Sequence, residues 1–383
     1  MRCVFLALLI AGATLRLYPQ SALADQIRSA QSSGNYAEAA KLYSQLIVGG
    51  TDTPEIRSNC GVMLHLAGKN REAMEQFRVA LRQNSDLVGA NLFAGLTELD
   101  LGDPALSLTY LKRAQQADPR RPAPLLGIAK AYVALRQYEL ANESYSKAAA
   151  LDAGLAEAWY GVGVTDRSLA EQLLNRAARS ADKNGSSKKK AQELLDNALK
   201  ALGRAIELDP DSARTHLIMA ESLSDAGKLP EAVAEYETAI KLDPHLDAAY
   251  LGLASQHWKQ REFEQALPLL KQVLLKSPKD AEANGMMTDI LQHSGDDANA
   301  KRYAEIPLAG NPNLIETRVV LARVYVARQE PKQAIAELQK VISADPDGSY
   351  HFLLYRACRQ AGDEQAAKTA MAQFQQLRNG NKH

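Results

Sequence analysis

Apolar and polar positions along residues 213–246 follow a helical period. Met219, Ala220 and Leu223 fall on one face of a first predicted helix. Ala226-Gly227-Lys228-Leu229 interrupts that face with a tight turn. Ala232, Tyr236 and Ala239 then recur at intervals of four and three, the spacing of one face of a second helix. Pro244 stops this helix, because proline cannot continue one. Small Ala220 and Ala232 let the two backbones approach, and Tyr236 fills the space beside them.

The same motif returns at a fixed interval. Pro210, Pro244, Pro278, Pro312 and Pro346 stand 34 residues apart. A step of 34 back from Pro119 reaches Ser85, and a step forward reaches Ala153. Only the interval from Ala153 to Pro210 breaks the period, by 23 extra residues.

This pattern resembles the tetratricopeptide repeat, a helix–turn–helix unit of 34 residues. That family has a large residue at position 4, Leu with Gly or Ala at 7 and 8, and an aromatic at 11; Ala follows at 20, a large residue at 24, Ala at 27 and Pro at 32. In 122–155 those places hold Leu125, Ile128-Ala129, Tyr132, Ala141, Tyr145, Ala148 and Ala153. In 315–348 they hold Leu321-Ala322, Tyr325, Ala334, Leu338, Val341 and Pro346, with Arg318 departing at position 4. In 54–87 they hold Cys60-Gly61, Leu64, Ala73, Phe77 and Ala80, with Arg57 at position 4. Residues 247–280 match with Tyr250, Leu253-Ala254, Ala266, Leu270 and Pro278; residues 88–121 match less well, with Glu98 at position 11 and Ser107 at 20.

The resemblance implies an all-α fold, a right-handed α-solenoid (superhelix) of about ten such units, with the first helices lining a concave groove. The units are expected near 25–53, 54–87, 88–121, 122–155, 156–212, 213–246, 247–280, 281–314, 315–347 and 348–383, the last serving as a C-terminal cap. Such an array takes up the chain from residue 25 onward and leaves no room for a separate catalytic domain.

Two places depart from the period. The 23 extra residues fall in 156–212, where the helical pattern runs on through Leu169, Leu173, Leu174 and Ala178. An elongated hairpin is expected, with a flexible polar tip from Asp182 to Lys190. Its Lys188, Lys189 and Lys190 read either as a contact for an acidic partner or anionic lipid, or as a solvated tip. Pro307 stands where other units have Ala239 or Ala205, which predicts a short or kinked second helix in 281–314.

The N-terminus changes the picture differently. Met1-Arg2, an apolar stretch from Val4 to Ala13 and Ala22-Leu23-Ala24 read as a secretory signal over residues 1–24, with cleavage before Asp25. Arg16 interrupts the apolar region and leaves retention as the alternative. An exported protein of the periplasm or envelope is expected. From Asp25 onward the chain carries two more acids than bases, so no basic excess favours nucleic acid, and no later apolar run is long enough for an integral membrane span. Cys60 and Cys358 fall at core places and are expected to be buried small hydrophobes rather than a bridged pair.

No catalytic or cofactor motif is present. The seven histidines form no metal-spaced cluster, and His216, His257 and His351 fall where packing is expected. No phosphate loop, dinucleotide motif or nucleophile elbow is found, and no cofactor is expected. The resemblance implies that positions 2, 5, 9 and 12 of each unit face the groove. Position 5 reads Leu92, Leu126, Tyr160, Leu217 and Leu251; position 9 supplies Lys130, Glu221, Asp289 and Arg323; position 12 adds Leu99, Val133 and Trp258. An apolar line with scattered charges suits a peptide, although position 5 could equally be half-buried between units. The reading is a non-enzymatic envelope scaffold that binds a peptide or partner protein. The alternative is an accessory module of an envelope polysaccharide or secretion complex that binds an enzyme or glycan, for which Tyr160 and Trp258 are the aromatic candidates.

Overall fold

The computed structural model of the protein describes residues 22–179 and 185–380, and these form twenty α-helices and no strand. The helices come in antiparallel pairs. In order they are α1 (Ala22–Ser32) and α2 (Tyr36–Val48), α3 (Pro54–Leu66) and α4 (Asn70–Gln83), α5 (Val88–Asp100) and α6 (Pro104–Ala117), α7 (Pro122–Ala134) and α8 (Tyr138–Leu151), α9 (Ala156–Arg179) and α10 (Ser186–Leu208). Then follow α11 (Ala213–Asp225) and α12 (Leu229–Leu242), α13 (Asp247–Lys259) and α14 (Phe263–Lys276), α15 (Ala281–His293) and α16 (Asp297–Gly310), α17 (Ile315–Ala327) and α18 (Pro331–Gln339), α19 (Ser349–Ala361) and α20 (Glu364–Gly380). The chain divides into two compact bodies. An N-terminal body runs to Leu174 and includes Lys189–Pro210; a C-terminal body contains Asn175–Lys188 and everything from Asp211.

Small residues close each hairpin. Ala73, Ser107, Ala141, Ala232, Ala266, Ala300 and Ala334, at position 20 of their repeats, have no exposed surface. Opposite them, at position 8, stand Gly61, Gly95, Ala129, Ala220, Ala254, Thr288 and Ala322. At Gly95 the approach is so close that a Cβ would lie 2.4 Å from Leu111 Cγ. The hydroxyl of Ser107 donates to the Gly95 carbonyl at 2.7 Å across the same gap. Leu111, fully buried, also lies against Gly127 of the next repeat. Burying one such leucine contributes roughly 2–3 kcal/mol.

The turn inside each hairpin needs one left-handed residue. Gly34, Gly68, Gly102 and Arg136 in one body, and Gly227, Arg261, Gly295 and Gln329 in the other, all have positive φ and recur every 34 residues. At Gly68 the following N–H, of Lys69, donates back to the Leu64 carbonyl at 2.8 Å, which satisfies an orphan group at the helix end.

Position 4 links neighbouring repeats. Side-chain N–H groups of Asn91, Trp159, Asn284 and Arg318 donate to the carbonyls of Ser85, Ala153, Pro278 and Pro312, each six residues earlier at position 32 of the preceding repeat. Position 4 also pairs across its own hairpin, nineteen residues on: Arg57 with Gln76, His216 with Glu235, and Arg318 with Glu337. The arginines at 57 and 318 that depart from the family pattern therefore hold structure of their own.

In 156–212 both helices are long, with α9 of 24 residues and α10 of 23 against 13 and 14 in α7 and α8. Residues 182–184 of the anticipated tip, like residues 1–21 of the anticipated signal, lie outside the described residues. Lys188–Lys190 belong to the first turns of α10, not to a loop, which corrects the expectation of a tip extending to Lys190.

Pro307 does not shorten its helix. α16 runs through it for 14 residues, as long as its counterparts, because only one ladder bond is lost and Asn311 N–H resumes the ladder by donating to the Pro307 carbonyl at 3.0 Å. The short second helix is instead α18, nine residues followed by a 3₁₀ turn over Ile342–Ala344. α14 also contains a proline, Pro268, on its exposed side, where water can satisfy the carbonyl left unpaired.

The repeat at 247–280 provides a paired test. A Cβ on Gly252 would lie 2.3 Å from the buried Tyr236 ring, so Gly252→Ala is expected to lose about 1–2 kcal/mol despite its better helix propensity. Arg261 holds φ at 61°, so Arg261→Gly is expected to gain up to about 1 kcal/mol. Urea-unfolding midpoints of the two variants check both signs.

Candidate functional site

In the C-terminal body three successive first helices bring Trp258, Asp289 and Arg323 together. The Trp258 indole N–H donates to Asp289 Oδ2 at 3.0 Å, and Arg323 lies 3.7 Å from Asp289 Oδ1. Position 12 of one repeat thus reaches position 9 of the next, and position 9 of that repeat reaches position 9 of the one after. An open cleft of about 580 Å³ runs beside them, also bordered by Arg261, Phe263 and His293. His293 meets Phe263 edge-on, with ring centroids 5.0 Å apart. Aromatic walls and charges of both signs face the same space.

The other residues anticipated for a groove distribute differently. Leu92, Leu126 and Leu217 are only 1%, 5% and 8% exposed and offer no contact surface. This corrects the reading of position 5 as groove lining. Leu92 joins the apolar cluster that contains Met63 of the preceding repeat, and Leu126 joins the one that contains Ala158 of the following repeat. Leu251 and Tyr160 are half-buried, Leu251 against the cluster around Ala254 and Met286. Lys130 is exposed and forms an ion pair with Glu157 of the next repeat at 2.5 Å. Lys188, Lys189 and Lys190 are exposed on α10. Of the anticipated groove residues, Trp258, Asp289 and Arg323 converge, with Asp289 bridging the other two.

Other chemistry-bearing groups are engaged in packing. Each of the three histidines at packing positions contacts a carboxylate: His216 with Glu235, His257 with Glu262 and His351 with Asp345, at 2.6, 2.7 and 2.7 Å. Cys60 and Cys358 are buried and unbridged, and burial raises the pKa of both thiols. Among the described residues no group of three or more His, Cys, Asp or Glu side chains could hold a metal ion. No helix among them is long and apolar enough to cross a membrane.

Two acids occupy the aromatic place at position 11. Glu98 is buried with Arg78 at 3.6 Å, and desolvation raises its pKa. Asp166 is buried and accepts a hydrogen bond from Asn142 Nδ2 at 2.9 Å; desolvation pushes it up to about 6. Each meets a side chain on the second helix of the preceding repeat, so both sit where neighbouring hairpins pack.

The chain matches tetratricopeptide-repeat family profiles over residues 24–88, 67–122 and 319–381, and over 190–256 and 223–290, together more than half its length. It is 20% identical over 292 residues to the TPR repeat-containing protein YpiA of Bacillus subtilis (strain 168), an alignment that covers 73% of this chain and 69% of that protein. Among solved structures it is similar to pilF of Pseudomonas aeruginosa, with a TM-score of 0.51, 19% identity, and coverage of 62% of this chain and 97% of that one. It is similar also to a tetratricopeptide repeat protein from Parabacteroides merdae ATCC 43184, with a TM-score of 0.51, 14% identity, and coverage of 70% and 98%. At these identities the structural likeness is one of fold.

Asp166 yields a test of the electrostatics. Its pKa is raised on folding, so its stabilising contribution is complete below the ordinary value of 3.8 and is lost as pH rises through about 6. Asp166→Asn carries no such loss. The variant should exceed the wild type by up to about 3 kcal/mol at neutral pH, with the gap closing toward pH ~4. Urea midpoints of both proteins across that range measure the difference.

Proposed function

Because this chain belongs to the tetratricopeptide-repeat superfamily, whose members are generally protein-interaction scaffolds, we propose that it is a non-enzymatic scaffold that holds a peptide or partner protein against the first helices of its repeats. The observation that carries this reading is the cleft beside Trp258, Asp289 and Arg323. Its aromatic walls can bury an apolar side chain, and the Asp289–Arg323 pair can orient backbone or side-chain polar groups. Asp289 is held by the Trp258 indole, so the polar part of the cleft is preorganised and loses little entropy on binding.

We further propose that the scaffold works in the cell envelope. The basic start, the apolar stretch and Ala22-Leu23-Ala24 support export through a secretory signal. Sequencing the N-terminus of protein recovered from the envelope fraction should find Asp25 first; recovery of the full-length chain from the cytoplasm would remove this part of the proposal.

The partner-binding reading is tested by affinity capture from envelope extract. Arg323 is half-exposed, so Arg323→Glu should leave the fold intact by circular dichroism and yet lose the partners that wild type recovers. Trp258→Ala should do the same, because it removes both the ring and the donor to Asp289. Recovery of the same proteins by wild type and by both folded variants would refute the cleft as the binding site.

A further inference from the structure

The N-terminal body has a cleft of a different kind, on second helices rather than first. α4 and α6 both line an open space of about 510 Å³. Half-buried Val79, Leu81 and Tyr110 give it apolar walls. Arg78, Arg82 and Arg113 surround it, all exposed, and Glu75 is the one acid in its lining. Arg78 lies 3.6 Å from the buried carboxylate of Glu98. No ion pair to Arg82 or Arg113 occurs among the described residues.

The charge is local. The whole chain has equal numbers of basic and acidic residues, yet α6 contains Lys112 and Arg113 and no acid. The adjoining cleft, lined from α6, α7 and α8, is smaller at about 270 Å³, and its cations are engaged. There Lys147 pairs with Glu143 at 2.6 Å, and Lys112 sits 5.6 Å from the centroid of the Tyr132 ring. The cleft between α4 and α6 therefore combines apolar walls with cations whose charge the fold leaves uncompensated.

We propose that this cleft docks an acidic segment of a partner polypeptide. An apolar side chain of that segment sits between Val79, Leu81 and Tyr110, and flanking carboxylates meet the guanidinium groups of Arg82 and Arg113. Planar guanidinium forks match carboxylates in a bidentate way. The concave apolar floor favours a peptide over other polyanions, since a nucleic-acid backbone or a bilayer surface would present charge without a side chain to fill it. This surface goes beyond the scaffold reading above: it uses other helices, and either site can fail without the other.

The test uses the whole protein and a fluorescein-labelled peptide of Glu-Glu-Leu repeats, followed by anisotropy. The peptide should bind, more weakly as salt rises. Arg82→Glu with Arg113→Glu should weaken binding by about tenfold or more, with the helical spectrum unchanged. If charge reversal disturbs folding, Arg82→Gln with Arg113→Gln answers the same question. A Glu-Glu-Ser peptide should bind more weakly than Glu-Glu-Leu, and a Lys-Lys-Leu peptide should not bind. Undiminished binding by a folded variant overturns the proposal. So does equal binding of Glu-Glu-Ser, or tighter arginine-dependent binding of oligothymidylate or phosphatidylglycerol vesicles.

Discussion

Everything in this fold depends on how closely two helix backbones can approach at the middle of each hairpin. At Gly95 there is no room for a Cβ, and along the chain the facing position 20 is alanine or serine with no exposed surface. That closeness carries the large side chain at position 24 across the hairpin and into the next repeat. Leu111 lies against Gly95 of its own hairpin and Gly127 of the next; Tyr145 and Tyr236 lie against Gly161 and Gly252 of theirs. The contact that closes one hairpin is therefore the same contact that stacks its neighbour. Stability becomes a sum of such local terms, as expected where each repeat touches only adjacent repeats.

Polar groups complete the stack where apolar packing ends. A side-chain N–H at position 4 caps the carbonyl that the proline place of the previous repeat leaves free, in two repeats of each body. Asparagine, tryptophan and arginine all do this, because what matters is a donor of the right reach rather than one residue type. In the same way His65 and Ser224 reach Thr97 and Gln256 of the following first helix, as Trp258 reaches Asp289. The candidate site is thus one instance of a general inter-repeat linkage, distinguished by its open cleft.

Most of the fold was legible in the sequence because its cause is periodic. A 34-residue spacing of small and large residues is visible without coordinates, and so is the helical run that lengthens α9 and α10. What escaped has causes that leave no periodic trace. Arg136, Arg261 and Gln329 adopt the left-handed turn that glycine takes elsewhere, since the register of the hairpin outweighs their local preference. Pro307 stays inside a full-length helix because tertiary packing offsets one lost hydrogen bond. Leu92, Leu126 and Leu217 share a repeat position with half-buried Leu251 and Tyr160, so position alone does not separate a wedge between repeats from a surface contact. Trp258 and Arg323 were recognisable singly. Their convergence through Asp289 depends on the stagger of three first helices, which no single repeat encodes.

The two clefts draw on positions that do not close the hairpins. Asp289 and Arg323 come from position 9, Trp258 from position 12, and Arg78, Arg82 and Arg113 from positions 25, 29 and 26 on second helices. None of these places belongs to the set at 8, 20 and 27 that closes the hairpins. Side chains there can change charge or bulk without widening the gap between backbones, so surface chemistry varies from repeat to repeat while the stack stays constant. This separation explains how one body presents an aromatic cleft with a fixed carboxylate and the other a cleft rimmed by arginines, on a chain whose charges balance overall. Specificity in such an array comes from which repeat carries which side chains at the free positions, and the energy that holds the helices together plays no part in choosing the partner.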